Sequence, residues 1–228
     1  MSKINTVLFD FDGTLMNTNE LIYNSWQHTF RTIKGTEGDP DMIKRSYGDI
    51  LAKTIAEFFP DYPQEEAIEI YRSYQVGRFS DDIYPFPGML ELVRELKEKG
   101  YKVAVVTSRL RNTTLEGLNK YGLDEIVDAV ITADECKAHK PEPEPALMAM
   151  RAMGSRAEET VMVGDSKYDI GCANNAGVTS VLVDWAVAIY DREQEGIFKP
   201  DYTIAEAEDL WGIIDNINEA KKTGFSCL

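Results

Sequence analysis

Cysteine and histidine are scarce in this chain of 228 residues, with three of the first and two of the second. Cys136, Cys172 and Cys227 are odd in number and irregularly spaced, which fits neither a disulfide framework nor a zinc site. They read as packing or surface thiols in a reducing compartment. No uninterrupted apolar run reaches the roughly 18 residues of a membrane span, so no contact with membrane is expected. The first residues pass quickly through a short apolar run into charged ones, without the basic and long apolar regions of a signal peptide. A cytoplasmic protein is the expectation. Basic residues are also in deficit, 24 Lys and Arg against 39 Asp and Glu, for a formal charge of −15 at pH 7. That balance argues against nucleic acid and anionic lipid, which bind by replacing counterions with lysine and arginine. A small anion remains possible where positive charge gathers at one site.

The chain is 43% hydrophobic, enough for one ample core and a smaller accessory module. Thr6 to Phe9 is a β-branched-rich apolar run that ends abruptly in acidic residues and glycine, as a buried strand does. Comparable runs recur at Val103 to Val106, Ala129 to Thr132, Thr160 to Val163 and Ser180 to Val183. Between them lie helical patterns at Gly88 to Lys99, Arg111 to Tyr121, Pro145 to Met153 and Asp169 to Asn175, with Gly100, Gly122, Gly154 and Gly177 where helices should stop. This alternation predicts an α/β fold, a doubly wound parallel sheet. Residues 18–82 break the pattern, with helical stretches at Glu20 to Ile33, Asp41 to Phe59 and Gln64 to Phe79 and no convincing strand. They read as a small helical cap inserted after the first strand into a core of residues 1–17 and 83–228. The two prolines of "DDIYPFPG" make a stiff return.

In a doubly wound sheet the loops after the strand ends share one crevice, so those ends carry the function. Asp10 and Asp12 stand two apart beyond the first strand, where their repulsion calls for a cation or a shared proton. Gly13 permits the tight turn between them, and Thr14 can hydrogen-bond within it. Asp165 and Asp169 offer further oxygens at another strand end, a donor set suited to a hard ion such as Mg2+. Thr107 and the amide after it supply neutral donors for phosphoryl oxygens, and Lys140 supplies positive charge. Together these are the parts of phosphoryl transfer through an aspartyl-phosphate.

Taken in order, "DFDGTL", "TS", "KPEP" and "GDSKYD" resemble the four motifs of the haloacid dehalogenase superfamily, and the match runs over nearly the whole chain. The tail "KPDYTIAEAEDLWGII" is similar to the last strand and helix of its phosphoglycolate phosphatase and pyrophosphatase branch. The resemblance implies that Asp10 is the nucleophile and Asp12 the acid and base. It also implies that Asp10, the main-chain carbonyl of Asp12 and Asp165 bind magnesium, with Asp169 supporting directly or through water. Thr107, Ser108 and Lys140 would hold the phosphate of a small phosphorylated substrate, phosphoglycolate or pyrophosphate, in a monomer or weak homodimer. A closed helical lid over the crevice is expected to leave little room.

Other features have plainer readings. His28 and His139 suit a cap helix and a loop. Trp26, Phe30, Phe58, Phe59, Tyr71 and Tyr74 recur at helical spacing, as a cap core would. Arg45 and Lys53 read as a solvated face. Among alternatives, a sugar phosphomutase of this fold would carry arginine where Leu51 stands, and a dehalogenase needs neither Asp12 nor a metal cluster. A phosphonate hydrolase would want a cap lysine such as Lys34 or Lys53 free to form an imine. A phosphate-sensing module without turnover would not need every catalytic part.

Overall fold

The computed structural model describes residues 3–189 and 196–223; Cys227 lies outside them. From the N-terminus come β1 (Thr6–Phe9) and β2 (Met16–Asn17), then α1 (Asn19–Lys34), α2 (Pro40–Arg45), α3 (Leu51–Phe58), α4 (Gln64–Gln75) and α5 (Phe79–Asp82). The chain returns through β3 (Tyr84–Pro85) to α6 (Met89–Glu98), β4 (Lys102–Val106), α7 (Arg111–Lys120), β5 (Ala129–Ile131) and α8 (Glu144–Met153). It ends with β6 (Thr160–Gly164), α9 (Lys167–Asn175), β7 (Thr179–Val183), β8 (Tyr202–Ile204) and α10 (Asp209–Thr223).

Six strands form one sheet in the order β5-β4-β1-β6-β7-β8, every neighbouring pair parallel. All four residues of β1 are buried, because helices cover both faces of its strand. Val7 and Phe9 point to one face, into a core with Leu92, Val93 and Ile214. Leu8, Ala104 and Val106 point to the other, against Ala146, Ala149 and Ala173. The chain leaves β1 for β4 on one side and later returns to β6 on the other, so a crevice opens at the C-terminal end of β1.

The inserted helices have an apolar centre of their own, built on Trp26, Phe30, Phe58, Phe59 and Tyr71 as their spacing suggested, while Tyr74 packs instead toward the main core. Two expectations are corrected. The stretch Asp41 to Phe59 is two helices, not one, because Gly48 takes a left-handed φ of 84° in the segment between α2 and α3. The helix from Gln64 stops at Gln75, ahead of Gly77 at φ 72°, and Phe79 begins a separate short turn of helix. The two crossings to the core lie side by side as an antiparallel pair, Met16 opposite Pro85 and Asn17 opposite Tyr84.

The segment freed by the break at Gly48 docks the cap on the core. Ser108 Oγ donates to the Gly48 carbonyl at 2.9 Å, and Tyr168 at the start of α9 donates its hydroxyl to Asp49 Oδ2 at 2.8 Å. A Cβ on Gly48 would lie 2.3 Å from Ser166 Oγ, so the backbone approaches this closely only with glycine. A hydrogen bond to a carboxylate contributes about 1.5–3 kcal/mol. Tyr168→Phe should therefore raise amide exchange at Asp49 and Ile50 by about 10-fold or more in a mass-spectrometric exchange experiment. Unchanged exchange there would mean that this contact does not hold the cap down.

Candidate active site

Asp10 leaves the end of β1 with its amide donating to Val163 O at 2.9 Å, which fixes it between β1 and β6. The chain then folds back at once, Met16 N donating to Phe11 O and Gly13 N to Met16 O, both at 2.8 Å. Gly13 has φ 77°, and a Cβ there would meet Asp165 Oδ2 at 2.3 Å. Only glycine lets this turn bring the Asp10 loop against the Asp165 loop. Asp169 is placed by the start of α9, where Ser166 is the N-cap and Asp169 the third helical residue of a capping box. Its Oδ2 accepts from Ser166 N at 3.1 Å and Ser166 Oγ at 2.6 Å.

Lys140 joins these loops. Its ammonium donates to Asp10 Oδ1 at 2.7 Å, to Asp169 Oδ1 at 2.5 Å and to Val106 O at 3.3 Å, with the residue only 3% exposed. One ligand oxygen each from Asp10, Asp165 and Asp169 lies within 4.8 Å of the others. Burial, then the charge of Asp169, push the Asp10 carboxyl up to about 7, although Lys140 opposes the shift. Burial and the same neighbours hold Asp165 well above the usual carboxylate range. Lys140 is raised instead, because Asp10 and Asp169 outweigh the cost of burying its charge. Among the described residues three buried carboxylates thus face one ammonium, and Asp165 Oδ1 has no hydrogen-bond partner. An orphaned anionic oxygen amid excess negative charge fits a cation.

The Asp12 side chain stands apart from this cluster. Both its oxygens are taken by Arg109, with Nε at 3.1 and 2.9 Å and Nη2 at 2.8 Å. Sequence reasoning did not single out Arg109; the only trace is a basic residue two places after Thr107. Thr107 is buried, and its Oγ1 accepts from Arg109 N at 3.1 Å, which leaves the hydroxyl proton available. Ser108 borders the same cavity, yet its hydroxyl is spent on the cap carbonyl of Gly48.

The cavity over these groups is about 710 Å³, bounded by Asp10, Thr107 and Lys140 below and by Trp26, Tyr71 and Gln75 of the cap above. At its border the cap meets the core, where Gly48 and Asp49 accept from Ser108 and Tyr168 and Phe79 lies beneath Arg109. His139 borders the cavity, whereas His28 stacks on Tyr74 at 5.4 Å between ring centres. Arg45 is exposed and Lys53 pairs with Asp49 at 2.7 Å. Lys34 donates to Phe58 O at 2.7 Å within the cap, and neither Lys34 nor Lys53 is among the residues that border the cavity, which gives the imine reading no support. Burial pushes the thiols of Cys136 and Cys172 up to about 11 and about 12, in keeping with a packing role. Among the described residues no helix is long and apolar enough to cross a membrane.

Residues 7–183 match the haloacid dehalogenase-like hydrolase family. The chain is 40% identical over 213 residues to pyrophosphatase PpaX of Halalkalibacterium halodurans, covering 93% of this chain and 97% of that protein. Its fold is similar to a putative haloacid dehalogenase-like hydrolase of Bacteroides fragilis, with TM-score 0.80, 25% identity, and 91% and 100% of the two chains covered. It is equally similar in fold to a β-phosphoglucomutase of Clostridium difficile, with TM-score 0.79, 21% identity, and 96% and 99% covered. The chain belongs to the haloacid dehalogenase-like hydrolase family. Its carboxylate cluster and parallel core are those of a phosphatase of that family.

Confined like charges should be measurable as lost stability. In chelator, Asp165→Asn should raise stability by about 1–2 kcal/mol at pH 8, because it removes a carboxylate held in an unfavourable place. A folded-state pKa above the unfolded one lowers stability fully above the folded pKa and not at all below the unfolded value. The gain should therefore shrink as pH falls toward the ordinary value of 3.8. Urea unfolding at several pH values tests this, and a destabilised variant at pH 8 would contradict it.

Proposed function

We propose that this chain is a magnesium-dependent phosphohydrolase that cleaves inorganic pyrophosphate or phosphoglycolate through an aspartyl-phosphate on Asp10. The observation that carries the reading is the buried meeting of Asp10, Asp165 and Asp169 with a single shared lysine and an unpartnered Asp165 oxygen. Asp10, Asp165 and the main-chain carbonyl of Asp12 would hold the ion. Asp169 acts through water, since Lys140 and Ser166 already occupy its two oxygens. Magnesium, when bound, offsets the repulsion between these carboxylates and the phosphoryl oxygens.

The chain's own groups divide the rest of the work. Asp10 attacks phosphorus, forming an O–P bond as the bond to the leaving oxygen breaks, and Asp12 gives that oxygen a proton. Water then attacks the aspartyl-phosphate while Asp12 recovers a proton, releasing phosphate and restoring Asp10. The Thr107 hydroxyl, the Ser108 amide and the Lys140 ammonium orient the transferred group. The cap, residues 18–82, swings on the paired crossings at Met16 and Pro85 and covers the leaving group. The 40% identity to a protein named pyrophosphatase supports the choice of substrate. Leu51 of the cap borders the cavity in place of the arginine a sugar phosphomutase would carry, which favours hydrolysis over the mutase reading. Action as a monomer or weak homodimer in the cytoplasm belongs to the same proposal.

Asp10→Asn should abolish turnover of pyrophosphate with circular dichroism unchanged, because an amide of the same shape cannot attack phosphorus. Residual activity within about 10-fold of the unaltered chain, in a folded variant, would remove Asp10 from this role. Exhaustive chelation should stop hydrolysis, magnesium should restore it, and calcium should not, since it accepts more ligands at longer distances. Undiminished phosphate release in chelator would sink the metal requirement.

A further inference from the structure

Arg109 is a basic residue that the reaction as described leaves without a task. Its side chain is 9% exposed, and it sits at the seam between core and cap, with its guanidinium 4.7 Å from the Phe79 ring centre and 5.9 Å from that of Phe11. Nε and Nη2 form a fork on Asp12, while Nη1 has no hydrogen-bond partner among the described residues. Among the described residues three side chains of fixed positive charge border the cavity: Lys140, Arg109 and Arg72. Lys140 is committed to Asp10 and Asp169 at the phosphoryl end, and Arg72 is exposed, where water weakens its pull. Arg109 alone combines burial, charge and an uncommitted donor.

An Asp12 carboxylate with both oxygens in a guanidinium fork is badly placed to serve a leaving oxygen. Freeing it requires another anion for the arginine, and the leaving half of pyrophosphate or phosphoglycolate carries one. A guanidinium gives two parallel bonds to phosphate or carboxylate alike, whereas an uncharged alcohol or phenol offers it nothing comparable.

We propose that Arg109 determines specificity by binding the negatively charged leaving half of the substrate, and that in turning to it the guanidinium releases the Asp12 carboxylate, which takes up a proton from solvent and passes it to the leaving oxygen. This rests on the phosphohydrolase reading of the same site. It assigns a role that an anionic leaving group engages and an uncharged one does not.

The test compares kcat/KM for pyrophosphate, phosphoglycolate and p-nitrophenyl phosphate in the full chain with magnesium, for the unaltered protein, Arg109→Met, Arg109→Lys and Arg72→Met, each checked by circular dichroism. Whatever loss is common to all substrates, Arg109→Met should lower the ratio of the anionic substrates to the aryl phosphate by about 10- to 100-fold. Arg109→Lys should recover part of that ratio, since charge returns without the fork. A calorimetric arm needs no turnover: Arg109→Met should weaken methylenediphosphonate binding by about 10-fold or more while methylphosphonate binding changes far less. If the unaltered chain cleaves neither anionic substrate, the proposed substrates fall and the calorimetric arm decides the role of Arg109. Unchanged diphosphonate preference in a folded Arg109→Met, or its collapse in Arg72→Met alone, overturns the proposal.

Discussion

The constraint on which the rest depends is the confinement of three carboxylates and one ammonium in a pocket that excludes bulk water. Buried charge of one sign is costly, and the single Lys140 cannot neutralise Asp10, Asp165 and Asp169 together. The fold supplies the rigidity that such crowding needs. Asp10 and Asp165 follow adjacent parallel strands, β1 and β6, whose ladder continues into the Asp10 amide. Asp169 is locked by the capping box of α9, and Gly13 allows contact that any side chain would block. These local devices serve one end, holding apart from water groups that would separate if they could. In the proposed reaction a cation and a phosphoryl group would offset that cost, which would couple their affinity to the repulsion among the carboxylates.

The site also separates two kinds of recognition along one axis. In the proposed reaction the phosphoryl end is made by core loops, with Thr107 after β4 and Lys140 ahead of α8 both buried. The opposite end is made where Arg109 of the core meets Phe79, Tyr71 and Gln75 of the cap. Such an arrangement lets the chemistry stay fixed while the choice of leaving group follows from the cap and the seam. The cavity of about 710 Å³ accordingly has Asp10 and Lys140 at the core end, while Trp26, Leu51 and Tyr71 of the cap add apolar lining.

What sequence made legible was whatever is encoded locally. Each buried parallel strand reads as an apolar run, and four motifs at strand ends predict one crevice because topology gathers them there. The last strand and helix followed from resemblance, not from periodicity. The break within Asp41 to Phe59 escaped notice because helical spacing continues through it while one glycine φ does not. The fates of Ser108 and Asp12 were hidden for a different reason. Ser108 finds Gly48 sixty residues earlier in the chain, and Asp12 finds Arg109 ninety-seven residues later. Motif reading names the atoms a residue offers, whereas the partner that takes them is decided by how cap and core close.

Asp10 and Asp12 illustrate how two identical side chains on one turn acquire different chemistry. Asp10 receives an ammonium, a compact charge that contacts Oδ1 alone. Asp12 receives a guanidinium, whose planar fork engages both oxygens. In the reaction proposed for this site the nucleophile needs one oxygen left for phosphorus, and a point charge permits that. An acid that must act only after substrate arrives benefits from the opposite, a partner that restrains it completely and yields only to a competing anion. Exchanging the two cations would invert the logic, pinning the nucleophile by both oxygens and leaving the acid exposed to water. On the proposed roles, the choice of lysine at 140 and arginine at 109 is thus part of the division of labour between the two aspartates, as much as the carboxylates themselves.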